Sequence, residues 1–190
     1  MPQYICLQEA ESTNTRMKAM ASQLPSGSVI YTPCQTAGRG QKGNTWESEP
    51  GKNLAFSFLL KNPNLAANEQ FYISEACSLA VLDTLSAFAD GFAIKWPNDI
   101  YHGDNKICGI LIENALFDKR IGYSIIGIGI NINQERFVSD APNPISLKNI
   151  TGRDYDLQEL LTNVCQRIEN LCDFSQATPT SLAATHSRFM

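Results

Sequence analysis

The chain has 190 residues, 43% hydrophobic and 18% charged, the balance of one globular domain that buries a core without a disulfide or metal staple. Fifteen Lys and Arg against 19 Asp and Glu leave a net charge of −4, the wrong sign for gripping a phosphate backbone through bulk electrostatics, so DNA binding is not expected. No apolar run reaches the ~20 residues of a membrane span, and the start MPQYICLQEAEST lacks the basic and apolar regions of a secretory signal. A soluble, cytoplasmic protein without membrane association is expected.

In chain order, YICLQE at 4–9 reads as a short strand, and Ser12-Thr13-Asn14 caps a helix with Met17, Met20, Ala21 and Leu24 at helical spacing. SVIYT returns as a strand from residue 28, a glycine-rich polar loop fills 34–53, and LAFSFLL at 54–60 is a buried strand. After Asn68 a longer helix places Tyr72, Ala76, Leu79, Leu82 and Leu85 on one side. FAIKW at 92–96 is a strand ended by Pro97, and two further strands, 106–117 and 121–132, pair antiparallel across a turn at Asp118 and Lys119. Asp156 opens an amphipathic helix over 156–174, and residues 175–190 receive no assignment. With no repeat and no linker, 1–190 reads as a single domain: an α/β (α+β) mixed sheet with helices mainly on one face. The six cysteines form no CxxC pair and only two histidines accompany them, which points to reduced packing thiols and away from a zinc cluster.

Four motifs carry chemistry. Gly38-Arg39-Gly40-Gln41-Lys42-Gly43 satisfies GxGxxG, but NTWESEPGKN follows where a helix should begin, and Lys61 and Asn62 stand where a ribose-binding carboxylate is required. A dinucleotide helix is thereby excluded. Glycine amides with Arg39 and Lys42 still suit an anion, and they equally suit a flexible surface loop with two solvated cations. Lys95-Trp96-Pro97-Asn98-Asp99 puts a cation, a ring and two oxygen donors at a strand end, where ordinary turn chemistry is the bland reading. Lys106 opens the apolar strand running to Glu113 and needs an anionic partner unless it reaches water. Ile126, Ile128, Ile130 and Ile132 bury one way, so Gly127 and Gly129 leave the opposite face bare, as a floor for a flat ligand or for a closely crossing element.

These pieces, namely Glu11-Ser12-Thr13-Asn14, the loop Gln35-Thr36-Ala37-Gly38-Arg39-Gly40 running to Trp46, KWPND, Lys106 with Gly109, and Gly127-Ile128-Gly129-Ile130-Asn131, resemble the catalytic domain of biotin–protein ligases in order and spacing over 4–133. The resemblance implies a class II aminoacyl-tRNA synthetase-like fold. It also implies a two-step reaction: biotin and MgATP give biotinyl-5′-AMP, and a lysine of a biotin carboxyl carrier protein then takes the biotinyl group. Ser12, Thr13 and Gln35 would bond the ureido ring, Gly109, Leu111 and Gly127 would form the walls and floor, and Asn14, Gly38, Arg39, Gly40 and Lys106 would complete the biotin site. Arg39, Lys95 and Lys106 would be the catalytic cations. Arg39, Gln41, Trp46, Lys95, Asn98 and Asn131 would contact ATP, with Asn98 and Asp99 as Mg²⁺ ligands. Gln41 and Asn44 stand where some members carry arginine. The expected unit is the catalytic domain alone, monomer or homodimer, without the helix-turn-helix or the small C-terminal barrel of some relatives. A lipoate or octanoate ligase of the same fold, and a biotin-binding sensor without catalysis, are the competing readings.

Overall fold

The computed structural model describes residues 1–139 and 141–174, apart from the Lys42 side chain, so the unassigned stretch 175–190 lies outside the described residues. The elements are β1 (Tyr4–Cys6), α1 (Thr13–Met20), β2 (Val29–Tyr31), β3 (Leu54–Lys61), α2 (Phe71–Leu85), β4 (Phe92–Lys95), β5 (Asp99–His102), β6 (Asn105–Phe117), β7 (Arg120–Ile130), α3 (Leu147–Thr151) and α4 (Leu157–Leu171). The strands form one sheet in the order β1-β2-β3-β7-β6-β5-β4, parallel between β1 and β2 and antiparallel elsewhere.

Alternation along the central strands decides what each face does. Phe56 and Phe58 of β3, Cys108 and Ile110 of β6, and Ile126 and Ile128 of β7 point to one side and pack in a large core with α2 and α4. α2 is buried almost all round, from Ile73 to Val81, more than its apolar stripe announces, because α4 covers it. On the other side α1 lays Met17 against Ile30, Leu59 and Ile125, a smaller core. The helices therefore sit mainly on one face, as expected, and α1 shares the second face with the glycine positions of β6 and β7.

Local chemistry explains most boundaries. Asp156 caps α4 by accepting the Gln158 and Glu159 amides at 2.8 and 3.0 Å. α1 differs from the expected cap: Ser12 occupies the N-cap but makes no side-chain capping bond, and Gln35 Oε1 accepts the Thr13 amide at 3.0 Å instead. The hydroxyls of 12–13 are left for other work. Two elements were not legible in sequence. β5 is four residues between Pro97 and a Gly103-Asp104 turn, too short and polar to stand out. α3 is a five-residue helix closed by a Ser146–Asn149 capping box and by Gly152 at φ +73°.

Candidate active site

A cleft of about 600 Å³, part of it open to solvent, lies on the α1 side of the sheet. Most of the residues singled out in sequence line it: Ser12, Thr13, Asn14, Gln35, Arg39, Gly40, Gln41, Trp46, Asn98, Asp99, Lys106, Gly109, Leu111 and Gly127. Strand register gathers them. Asp99 pairs with Gly109, Gly109 with Gly129, Leu111 with Gly127, and Gly127 with Ser57, which brings β5, β6, β7 and β3 to one patch.

The glycine face is not the bare floor that alternation implies. The Asn14 amide rests where a Gly127 side chain would stand, and the Trp46 indole covers Gly129 and Gly109. Glycine is required there because a crossing side chain occupies the space, and the cleft is walled by those two groups. The loop that carries Arg39 is likewise closed on itself. Gly40 N–H donates to Asn44 O at 2.7 Å and Trp46 N–H to Gly38 O at 2.9 Å. A side chain on Gly38 would meet the Trp46 carbonyl at 2.5 Å. The Gly40 amide is thus spent inside the loop, and Arg39 and Gln41 are the loop residues with polar side chains that line the cleft beside it.

One polar chain runs from buried Ser57 and Asn14 out to exposed Arg39. The Ser57 hydroxyl donates to Asn14 Oδ1 at 2.6 Å and lies 2.8 Å from Thr13 Oγ1. Asn14 Nδ2 donates to Glu113 Oε2 at 2.8 Å. That same oxygen accepts Arg39 Nη2 at 3.2 Å. Sequence reasoning missed both Ser57 and Glu113 as site residues. Ser57 had a signal, a lone hydroxyl inside the apolar run LAFSFLL, which must find a buried partner. Glu113 shares the face of Gly109 and Leu111, so period-two counting from the glycine leads to it.

Lys106 finds its anionic partner inside the protein: Nζ donates to Asp99 Oδ2 at 2.7 Å and lies 5.8 Å from the Trp46 ring. Lys95 is not among the cleft-lining residues. Its Nζ stands 4.5 Å over the Tyr101 ring, a cation–π contact on the exposed end of β4. Asn98 is buried and its amide donates to Ile110 O, which ties the Pro97 turn to β6. Asn131 Nδ2 donates to Ile145 O at 3.1 Å, leaving Oδ1 buried with no partner among the described residues. Trp46 Nε1 is in the same condition. Trp46 lines the cleft, whereas Asn131 is not among its lining residues.

No trio of His, Cys, Asp or Glu that could hold a metal occurs among the described residues. With Asn98 engaged at Ile110, Asp99 is the carboxylate that lines the cleft. That set suits a magnesium ion carried mainly by phosphate oxygens and water, and does not make an all-protein cage. Cys108, behind Lys106, is fully buried, and burial followed by the Asp99 charge pushes its thiol far up, so it stays protonated. The described cysteines are all free.

The described helices include none long and apolar enough to cross a membrane. A model of the biotin/lipoate A/B protein ligase family matches residues 4–131. The bifunctional ligase/repressor BirA of Bacillus subtilis is 35% identical over 146 residues, covering 74% of this chain and 44% of its own. The biotin–[acetyl-CoA-carboxylase] ligase of Paracoccus denitrificans is 30% identical over 162 residues, covering 82% of this chain and 67% of its own. Among solved structures, the biotin protein ligase of Aquifex aeolicus in complex with biotin and ATP superposes with a TM-score of 0.83 at 31% identity, over 100% of this chain and 77% of that one. The fold is thus the class II aminoacyl-tRNA synthetase-like one that such ligases have. The chain spans about half the length of the bifunctional relatives, 52% of the Bacillus spizizenii protein and 44% of the B. subtilis one.

Proposed function

The chain belongs to the biotin/lipoate A/B protein ligase family, and from that premise we propose that it joins biotin to a lysine of a carrier protein at the expense of ATP. The biotin carboxylate oxygen attacks the α-phosphorus of ATP and pyrophosphate leaves, giving biotinyl-5′-AMP. The carrier lysine, deprotonated, then attacks the acyl carbon. An amide forms, the acyl–phosphate bond breaks, and AMP departs with its electron pair.

The observation that carries this reading is a polar cluster and a lysine at two ends of one cleft. Thr13, Gln35 and Asn14 present donors and acceptors beside α1. Lys106 stands across the glycine positions. Biotin has that polarity, a ureido ring at one end and a carboxylate at the other. A polar lining of this kind favours an acid that carries a polar ring over one that does not. Lys106 orients the carboxylate and Arg39 faces the phosphoryl group, so the protein contributes positioning and charge stabilisation. Asn131 Oδ1 suits an exocyclic amino group of the nucleotide. Asp99 is the cleft carboxylate that would help hold a magnesium ion carried by ATP, which would supply neutralisation of triphosphate charge.

The carrier domain, action in the cytoplasm, and an acidic surface with no role at DNA complete the proposal. Labelled pyrophosphate exchange into ATP tests it. Biotin-dependent exchange with subsequent labelling of a carrier domain is expected. Lipoate-dependent exchange would assign the chain to the lipoate side of the family, and biotin binding without exchange would make it a sensor.

A further inference from the structure

Glu47 follows Trp46 directly in the chain. Its carboxylate gathers one segment of chain: Oε1 accepts Gln134 Nε2 at 2.9 Å and the Val138 amide at 3.0 Å, and Oε2 accepts the Ser139 amide at 2.8 Å. Gln134, buried, returns the contact by accepting the Glu49 amide at 3.0 Å and the Asn53 amide group. The partners of Glu47 thus span only residues 134–139, a stretch without helix or strand that hangs from the end of β7. Val138 is 91% exposed, so no packing of its side chain holds this stretch down. The Glu47 carboxylate holds its far end at Val138 and Ser139, while Lys148 Nζ pairs with Glu135 at 2.7 Å and Asn149 Nδ2 donates to Glu135 O at 3.3 Å nearer its start.

The two chain segments joined here carry Trp46 on one side and Asn131 on the other, three residues before Gln134. Each carries a buried polar atom without a partner among the described residues, Trp46 Nε1 and Asn131 Oδ1. Trp46 is fixed on its N-terminal side by the hydrogen bond its backbone N–H donates to Gly38 O, and the Glu47 clasp is the corresponding tie on its C-terminal side. Biotin-side groups lie elsewhere, on α1 and at Gln35.

We propose that Glu47 is a positioning residue for the nucleotide: its carboxylate clasps 134–139 to the stem of the glycine-rich loop and so fixes Trp46 relative to Asn131. The inference rests on the ligase reading in taking ATP as the ligand those two groups meet. Charge-assisted bonds to backbone amides are the stronger kind, and a carboxylate accepts from all three donors where a carboxamide, carrying its own N–H groups, repels some of them.

Glu47→Gln in the full chain is the test, with Glu47→Asp as the variant that keeps the charge if the first melts early. Hydrogen exchange at the Val138 and Ser139 amides reads the clasp itself, and calorimetric titration with MgATP alone and with biotin alone reads its consequence. Expected for Glu47→Gln are loss of protection at both amides, MgATP binding weakened by about tenfold, and biotin binding within about twofold of wild type. Glu47→Asp should fall between. Unchanged protection, or lost protection with unchanged MgATP affinity, would overturn the proposal. A wild-type protein that binds MgATP but performs no biotin-dependent exchange would remove the ligase reading and leave this titration standing.

Discussion

Lys106 Nζ donates to Asp99 Oδ2 at 2.7 Å, with the two side chains 28% and 26% exposed. The cation at the centre of the proposed chemistry therefore has its own counter-ion, contributed by the neighbouring strand β5. An ammonium has three donors, so a substrate carboxylate that engages Lys106 shares it with Asp99, and the pair fixes where the amine points before it meets an acid.

Lys106→Ala removes that cation and leaves the Asp99 carboxylate beside the site unneutralised. Adenylate formation, measured as biotin-dependent pyrophosphate exchange, should fall by about 10²-fold or more. The variant should still fold, since Lys106 lies at the strand start and only partly buried. Near wild-type exchange in a folded variant would remove Lys106 from the mechanism.

Gly127→Val would put a branched side chain where Asn14 rests. On alternation alone the substitution would spare the fold and block the ligand. With Asn14 pinned there by Ser57 and Glu113, it should also displace the Asn14 amide and leave buried polar groups unpaired, a loss of about 1–3 kcal/mol in stability. Calorimetry should find biotin binding sharply reduced and thermal unfolding a lowered midpoint. A variant with unchanged melting would mean that Asn14 moves aside freely.

How much of this was legible in sequence follows from what each signal encodes. The glycines at 109, 127 and 129, the turn at Asp118 and the Asp156 cap are local or period-two features, and all of them are where the pattern puts them. Partner choice was not legible. Nothing local says that Lys106 pairs with Asp99, that Arg39 pairs with Glu113, or that Trp46 covers Gly129, since the first depends on how β5 pairs with β6 and the other two on how the loop between β2 and β3 folds over the sheet. Lys95 shows the limit from the other side. It pairs with Asp99 across β4 and β5, yet its side chain lies over the Tyr101 ring and off the cleft lining.

Gln41 lines the cleft with a neutral amide where some family members carry arginine, and Arg39 divides its charge with Glu113. The acyl-adenylate should thus leave the site more readily and label lysines outside the carrier domain. Gln41→Arg adds a cation facing the phosphate and should slow release by about tenfold, read by stopped-flow displacement of preformed adenylate. Equal release from both proteins would place the grip on the intermediate elsewhere.

Asp156→Ala tests the C-terminal helix. The carboxylate satisfies two amides at the first turn of α4, whose Leu160, Leu161, Val164 and Ile168 close the large core. Loss of the cap should cost about 1 kcal/mol in urea unfolding without altering the denaturant slope. Biotin binding, on the opposite face of the sheet, should be untouched. A change in that binding would mean that α4 and the cleft are coupled.

Acid should act through Glu47. Burial alone would raise its pKa, but the Ser139 hydroxyl, the Val138 and Ser139 amides and the Gln134 amide group all bond the charged form, and together they bring it below the ordinary carboxylate value. A folded-state pKa below the unfolded one gives stability that is complete above the unfolded value of ~4.5 and is lost as pH falls through the lowered folded value. At neutral pH Glu47→Gln should therefore melt earlier than wild type. As pH is taken down to about 3 the gap should narrow, because the wild-type carboxyl becomes protonated and loses the same acceptor. Melting curves of the two proteins at several pH values give the comparison directly. A gap that stays constant across that range would show that the carboxylate charge contributes nothing to holding 134–139, and only the shape of the side chain does.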